Sequence, residues 1–284
     1  MNKQIPDETL NQLILSALKE DIGLEDITTN AIFQQHNIAV GYFLAKANGI
    51  VAGIDVVKKV FSLVDERINI EVLIPDGSKV KKGDIIANVN GPAISLLTAE
   101  RVALNFIQRM SGIATLTNKY VEILKDTNTK ILDTRKTVPG LRLIDKLAVK
   151  LGGGENHRSD LSELFLIKDN HIDIAGSLTE AVNRCLKYKE TKYPKVKIEV
   201  ETTSLDLVRE AIKLPVDIIM LDNMTIPQMT EAVKIINGKC KTEASGGINL
   251  DTVRNIALTG VDYISIGALT HSISALDISL ELKV

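Results

Sequence analysis

At 284 residues, 45% of them hydrophobic and 25% charged, the chain has the composition of a soluble globular protein long enough for one large or two ordinary domains. A formal net charge of -2 excludes the strongly basic stripe that extended nucleic-acid binding requires, so any anion site has to be local. Two distant cysteines, Cys185 and Cys240, suit buried thiols in a reducing compartment better than a disulfide framework or a zinc centre. The opening residues lack the apolar run of a leader and no segment is apolar for long enough to span a bilayer, so a cytoplasmic protein is expected, with neither nucleic acid nor membrane as partner.

In chain order, Pro6-Asp7 followed by Leu10, Leu13, Ile14, Ala17 and Leu18 predicts an opening amphipathic helix. Strand-like runs come next at Val40 to Ala45, Ile68 to Leu73 and Ile85 to Val89, punctuated by Gly49, Asp76-Gly77 and Gly83-Asp84. The phrase PDGSKVKKGDIIANVNGPA resembles the small barrels of lipoyl and biotinyl domains, but it has no modifiable lysine at a hairpin tip, so it reads as scaffold rather than carrier. A helix from Ser95 through Met110 is expected to break at Ser111-Gly112. Residues 1–112 are therefore expected to form an α+β, sandwich-like domain, with the tail 273–284 packing on it.

Beyond residue 112 the pattern changes and repeats. β-rich runs at Lys130 to Asp133, Leu164 to Lys168, Val196 to Glu201, Asp217 to Asp222, Lys241 to Ala244 and Tyr263 to Ile266 alternate with helical stretches at Leu143 to Leu151, Ser177 to Tyr188, Leu205 to Ile212, Ile226 to Ile236 and Leu250 to Ala257. Such alternation predicts an α/β domain over 113–272: a (β/α) barrel, incomplete with about six strands, although periodicity alone does not separate it from an open doubly wound sheet. No GxGxxG opens the first helix, which argues against dinucleotide binding.

Active sites of such barrels sit on the loops after the strands. The six ends read Asp133-Thr134-Arg135-Lys136, Lys168-Asp169-Asn170-His171, Glu201, Asp222-Asn223, Ser245-Gly246-Gly247 and, after Ile266, Gly267-Ala268. The glycines of the last two ends suit a phosphate, cradled by backbone N–H groups and the next helix N-terminus. Glu201 and Asp222 would stand beside that phosphate, which calls for magnesium or sugar hydroxyls between them. His271, one turn beyond Gly267, would touch phosphate or cap the terminal helix. Cations at the first two ends, with His157 and Arg158, form an opposite wall suited to a carboxylate-bearing ligand. The stretch Asp133 to Leu161 thus splits into two loop ends joined by a helix with an ordinary apolar stripe. Glu199, two residues before Glu201 on the same strand face, would support the site or pair with a barrel lysine.

The motifs DTRKT-PGLR, GGG-NHR, IKDNHI, EVE, MLDN, EASGGI and ISIGALTHS resemble, in order and spacing, the quinolinate phosphoribosyltransferase family. The likeness extends from ALKEDIGLEDITT through TAERVALNFIQRMSGIATLT to ALDISLEL, with Glu25 standing where glycine is usual. It implies that quinolinate and phosphoribosyl pyrophosphate (PRPP), with Mg2+, give nicotinate mononucleotide, pyrophosphate and carbon dioxide in NAD biosynthesis. It further implies that Arg135, His157, Arg158 and Lys168, beside Thr134, hold quinolinate, and that Arg101 reaches in from the other subunit of a homodimer or larger homo-oligomer. Lys136, Glu201, Asp222, Asn223, Ser245, Gly246, Gly247, Ile266, Gly267, Ala268 and His271 would surround the phosphoribosyl donor. Lys136, Glu201 and Asp222 would carry the catalysis, with Glu201 and Asp222 meeting the metal through water or substrate. A related transferase acting on nicotinate, a molybdate-associated relative, or a non-catalytic phosphosugar-binding barrel are the alternatives.

Overall fold

The computed structural model describes residues 6–283, so the expectations for residues 1–5 and 284 lie outside it. The chain folds as two compact units. The first contains 1–118, 137–153 and 269–284; the second contains 119–136 and 154–268.

The chain opens with α1 (Asp7–Ile22), whose first turn carries Asp7 and Glu8 where the exposed N–H groups favour negative charge, and which buries Ile14 and Leu18. Then comes α2 (Ile27–Ile32), capped by the Asp26 carboxylate accepting the Thr29 N–H at 3.0 Å. After β1 (Ile38–Ala45) and β2 (Gly49–Ile50) comes α3 (Ile54–Val64), which buries Val57, Val60 and Phe61 at helical spacing. Next are β3 (Asn69–Val72), β4 (Lys79–Val80) and β5 (Ile85–Pro92). Phe61 meets Phe43 of β1 edge to face, ring centroids 6.2 Å apart, and so ties helix to sheet.

Helix α4 (Ala93–Ile123) runs without a break through Ser111-Gly112, contrary to the sequence expectation. The cause is tertiary. Ser111 Oγ accepts the Ala52 N–H and donates to the Ala52 carbonyl, while a Cβ on Gly112 would lie 2.3 Å from the Ser274 carbonyl oxygen. The glycine is there for a close backbone approach, and that contact outweighs its poor helix propensity.

The second unit begins its sheet with β6 (Lys130–Leu132). Helix α5 (Arg142–Leu151) follows and belongs to the first unit, where the Arg109 guanidinium bridges both oxygens of buried Asp145 at 2.9 and 2.8 Å. Its Lys146 is buried, so the helix's cations are not all on a solvated face. The chain continues through β7 (Leu164–Ile167), α6 (Asp169–Ala175), α7 (Leu178–Lys192), β8 (Lys197–Thr202), α8 (Leu205–Ala211), β9 (Ile218–Asp222), α9 (Ile226–Ile236), β10 (Lys241–Ser245), α10 (Val253–Ala257), β11 (Tyr263–Ser265), α11 (Ala268–His271) and β12 (Ile278–Lys283). The short α6 has no counterpart in the sequence reading. Helix α10 starts later than expected because Asn249 accepts the Asp251 and Thr252 N–H groups, holding 249–252 as a turn.

Six parallel strands pair in the order β6-β11-β10-β9-β8-β7. Consecutive β6 and β7 thus lie at opposite ends of the ladder, which is the order of a barrel open at one seam. In the first unit the sheet order is β12-β1-β5-β3, and β12 pairs antiparallel with β1 from Val40↔Lys283 to Ala45↔Ile278. The closing segment therefore completes the N-terminal sheet.

Candidate active site

Strand register decides which side chains share a face. Glu199 and Glu201 of β8 align with Ile218 and Met220 of β9, and Met220 and Asp222 align with Glu243 and Ser245 of β10. Their neighbours Ile198, Val200, Ile219, Leu221 and Ala244, with the threonines Thr202 and Thr242, form the opposite, buried and mainly apolar face. One side of these strands is therefore uncharged and the other carries carboxylates. Glu199 and Glu243 are fully buried there, and Glu201 is nearly so.

Buried acids need partners. Lys168, at the end of β7, meets Glu201 with Nζ 2.5 Å from Oε2. Two residues that the resemblance assigns to different substrates are thus joined in one ion pair. Glu199 makes its direct contact with a histidine, its Oε2 3.0 Å from His157 Nε2, with the charges of Arg158 and Lys168 nearby, and Glu243 Oε2 stands 3.6 Å from the same nitrogen. Burial, with Glu199 beside it, pushes the Glu243 carboxyl up to about 8, and burial pushes Glu199 up to about 7. Ser265 lies close to the Glu243 carboxyl, and Glu199 lies close enough to share its proton. Glu243 is the principal site residue missed in the sequence. Its signal was the even spacing that puts it on the face of Ser245.

The segment after the glycine run is held by the end of β6. The buried Asp133 carboxylate accepts the His157 N–H at 2.9 Å and the Asn156 side-chain amide at 2.5 Å, and Glu155 exchanges backbone bonds with Ile131 and Asp133. His157 and Arg158 are thereby brought to the strand end that carries Thr134, Arg135 and Lys136, where the Thr134 hydroxyl accepts the Lys136 N–H. Arg158 Nη1 donates to the Leu164 carbonyl at 2.9 Å. Burial lowers the Arg158 pKa and the charge of Arg135 lowers it further. Two guanidiniums that repel each other in a half-buried site are relieved by a bound anion.

At the other strand ends, Asn223 adopts a left-handed backbone (φ 53°), its N–H donates to the Ser245 carbonyl, and its side-chain amide donates to Asp222 Oδ2 at 2.7 Å. Gly246 packs directly beneath it, at φ +95°, where a Cβ would sit 2.1 Å from Asn223 Oδ1. Gly247 follows at φ +61° with open space around it. Two successive glycines at positive φ leave this loop without side chains, which lets a ligand approach the backbone closely. Helix α10 starts only at Val253, six residues beyond Gly247, so its N-terminus does not follow this loop directly as expected. Gly267 follows buried Ile266 and leads straight into α11 at Ala268. His271 ends that helix in the first unit, exposed, with Nδ1 2.6 Å from Ser272 Oγ. Arg101 is exposed on α4, also in the first unit.

Glu201 and Asp222 offer hard carboxylate oxygens from adjacent strands on one face, a donor set that fits Mg2+ shared with phosphates and water.

Models of the quinolinate phosphoribosyl transferase N-terminal and C-terminal domains match residues 26–111 and 113–281. The chain belongs to the quinolinate phosphoribosyltransferase family. It is 45% identical over 96% of its length to the Bacillus subtilis protein named "Probable nicotinate-nucleotide pyrophosphorylase [carboxylating]", covering 93% of that protein. It is also 45% identical over 98% of its length to the mitochondrial quinolinate phosphoribosyltransferase [decarboxylating] 2 of Nicotiana glauca, covering 83% of it. Among solved structures, NadC from Streptococcus pyogenes superposes with a TM-score of 0.94 at 41% identity, over 99% of both chains. Among the described residues no helix is long and apolar enough to cross a membrane.

Proposed function

We propose that this chain is a decarboxylating quinolinate phosphoribosyltransferase, a pentosyltransferase that joins quinolinate to the ribosyl group of PRPP and yields nicotinate mononucleotide, pyrophosphate and carbon dioxide for NAD synthesis. The observation that carries this reading is the guanidinium pair Arg135 and Arg158, with Lys168 at the next strand end. Three cations suit the two carboxylates of quinolinate better than the single one of nicotinate. Family membership and similarity over nearly the whole chain support the same reading.

The reaction asks for little covalent help. Pyrophosphate leaves the anomeric carbon as the pyridine nitrogen attacks, and positive charge develops on the ribose. Mg2+, when bound with PRPP, neutralises the departing pyrophosphate. Glu201 and Asp222 would hold the ion through water or substrate, and would stabilise the cationic ribose and orient its hydroxyls. Lys136 would pair with the leaving phosphates, and the Ser245-Gly246-Gly247 and Ile266-Gly267-Ala268 loops would hold the 5′-phosphate with backbone N–H groups; Asn223 would complete the donor pocket. Once the nitrogen is ribosylated the ring is a pyridinium. The C–CO2 bond beside it breaks, its electron pair stays on the ring carbon, and a proton from Lys136 or water replaces the carboxylate. The Lys168–Glu201 pair ties the quinolinate side to the donor side and fixes both in register. Arg101 from a second subunit would close the acid pocket, which makes a homodimer the smallest complete unit. A cytoplasmic setting agrees with two thiols outside any disulfide.

The test is release of carbon dioxide from carboxyl-labelled quinolinate in the presence of PRPP and Mg2+. One carbon dioxide per pyrophosphate is expected. Consumption of nicotinate instead, or binding of PRPP without turnover, would overturn the assignment.

A further inference from the structure

Among the described residues other than glycine, only Asn223 and Asn237 have positive φ. Asn237 follows the last residue of α9 and caps it, an ordinary place for a left-handed asparagine. Asn223 caps no helix. It follows Asp222, the last residue of β9, and α9 starts only at Ile226 behind its own cap, Thr225. Such conformations away from helix ends gather at functional sites, where neighbouring contacts hold them in place.

Those contacts are specific. The Asn223 N–H donates to the Ser245 carbonyl at 2.9 Å, one step beyond the last aligned pair of β9 and β10, Asp222 with Ser245. Its side-chain amide folds back and donates to Asp222 Oδ2 at 2.7 Å. Gly246 lies against the carboxamide, so closely that a Cβ would sit 2.5 Å from Cγ. The bare glycine thus makes room for the carboxamide, and the left-handed backbone turns it toward the preceding carboxylate. One amide donor takes one of that carboxylate's several lone-pair sites and leaves acceptor capacity for a cation or a hydroxyl.

From this arrangement we infer that Asn223 is a positioning residue: it acts on the phosphoribosyl donor and its Mg2+ only through Asp222, whose carboxylate it orients. The inference rests on the reading that Asp222 meets the ion through water or substrate. Asparagine suits the position because glycine would supply the conformation without the amide, while aspartate would set a second negative charge beside the first. Losing the hydrogen-bonding partner of a metal-binding carboxylate typically costs about 10–100-fold in metal affinity.

The test has one arm that needs no turnover. Mn2+ takes the same oxygen ligands as Mg2+ and is read by electron paramagnetic resonance. In the full-length protein with pyrophosphate present, Asn223→Gly should bind Mn2+ about tenfold more weakly, since it keeps the left-handed turn and removes only the carboxamide. Asp222→Asn should weaken binding too, and adding Asn223→Gly to it should cost little more, because the group through which Asn223 acts is already altered. Losses that add would mean that the amide meets the ligand itself, and wild-type binding in Asn223→Gly would mean that it orients nothing; either overturns the inference and leaves Asp222 in its role. Undiminished binding in Asp222→Asn would instead remove Asp222 from the ion and overturn the underlying reading with it. In the kinetic arm, the Mg2+ concentration for half-maximal rate should rise in Asn223→Gly while the quinolinate KM stays near that of the wild type. A parallel rise in both would mean a general loosening of the strand ends and would also overturn the inference.

Discussion

Arg158, Glu243 and Gly246 each have a distinct physical consequence. Replacing Arg158 with alanine removes a guanidinium from the pair proposed to hold quinolinate, so the quinolinate KM should rise far more than that for PRPP in steady-state assays; equal rises would sink the division of the pocket. Glu243 is raised from 4.5 to about 8 in the folded protein. The native state therefore holds a proton that the unfolded chain has lost between those pH values, and stability should fall as pH rises from 4.5 to about 8. Urea melts across that range should show a shallower decline for Glu243→Gln, whose amide cannot ionise. Alanine at Gly246 meets the Asn223 carboxamide and forces an L-residue into left-handed space, which costs about 1–2 kcal/mol for the backbone alone. A raised PRPP KM with a near-normal quinolinate KM is the expected signature.

Among the elements, the strand ends were legible because their polarity is written locally: six β-rich runs each close on a cation, a carboxylate or a glycine. Several boundaries fell within a residue or two for the same reason, since Ser177 and Ser204 cap α7 and α8 by accepting the Glu180 and Leu207 N–H groups. Ser204→Ala should lower thermal stability by about 1 kcal/mol, read as a shift in the denaturation midpoint, while leaving turnover intact. The unbroken α4 was not legible. Gly112 weakens a helix when judged by its own propensity, and only the carbonyl of Ser274, more than a hundred and fifty positions away, shows why it is there. Gly112→Ala should therefore destabilise the protein, against the usual gain for glycine to alanine in a helix, and chemical denaturation decides the sign.

For the whole molecule, the proposed sharing of Arg101 between subunits makes a prediction of its own. Arg101→Ala and Glu201→Gln homo-oligomers should each be nearly inactive, but unfolding and refolding a mixture should restore up to about a quarter of wild-type activity, because half of the resulting dimers carry one whole site. No recovery from well-folded mixed dimers would remove Arg101 from the neighbouring site. The sequence by itself determined the strand–helix alternation, the polar strand ends and the family, since each is carried by local pattern or by motifs of contiguous residues. Only the tertiary structure decided that Lys168 pairs directly with Glu201, that Glu199 makes its direct contact with a histidine, and that Glu243 stands buried beside that histidine. Those pairings depend on strand register and on which face each side chain takes, and register is fixed by contacts between segments that are far apart in the chain.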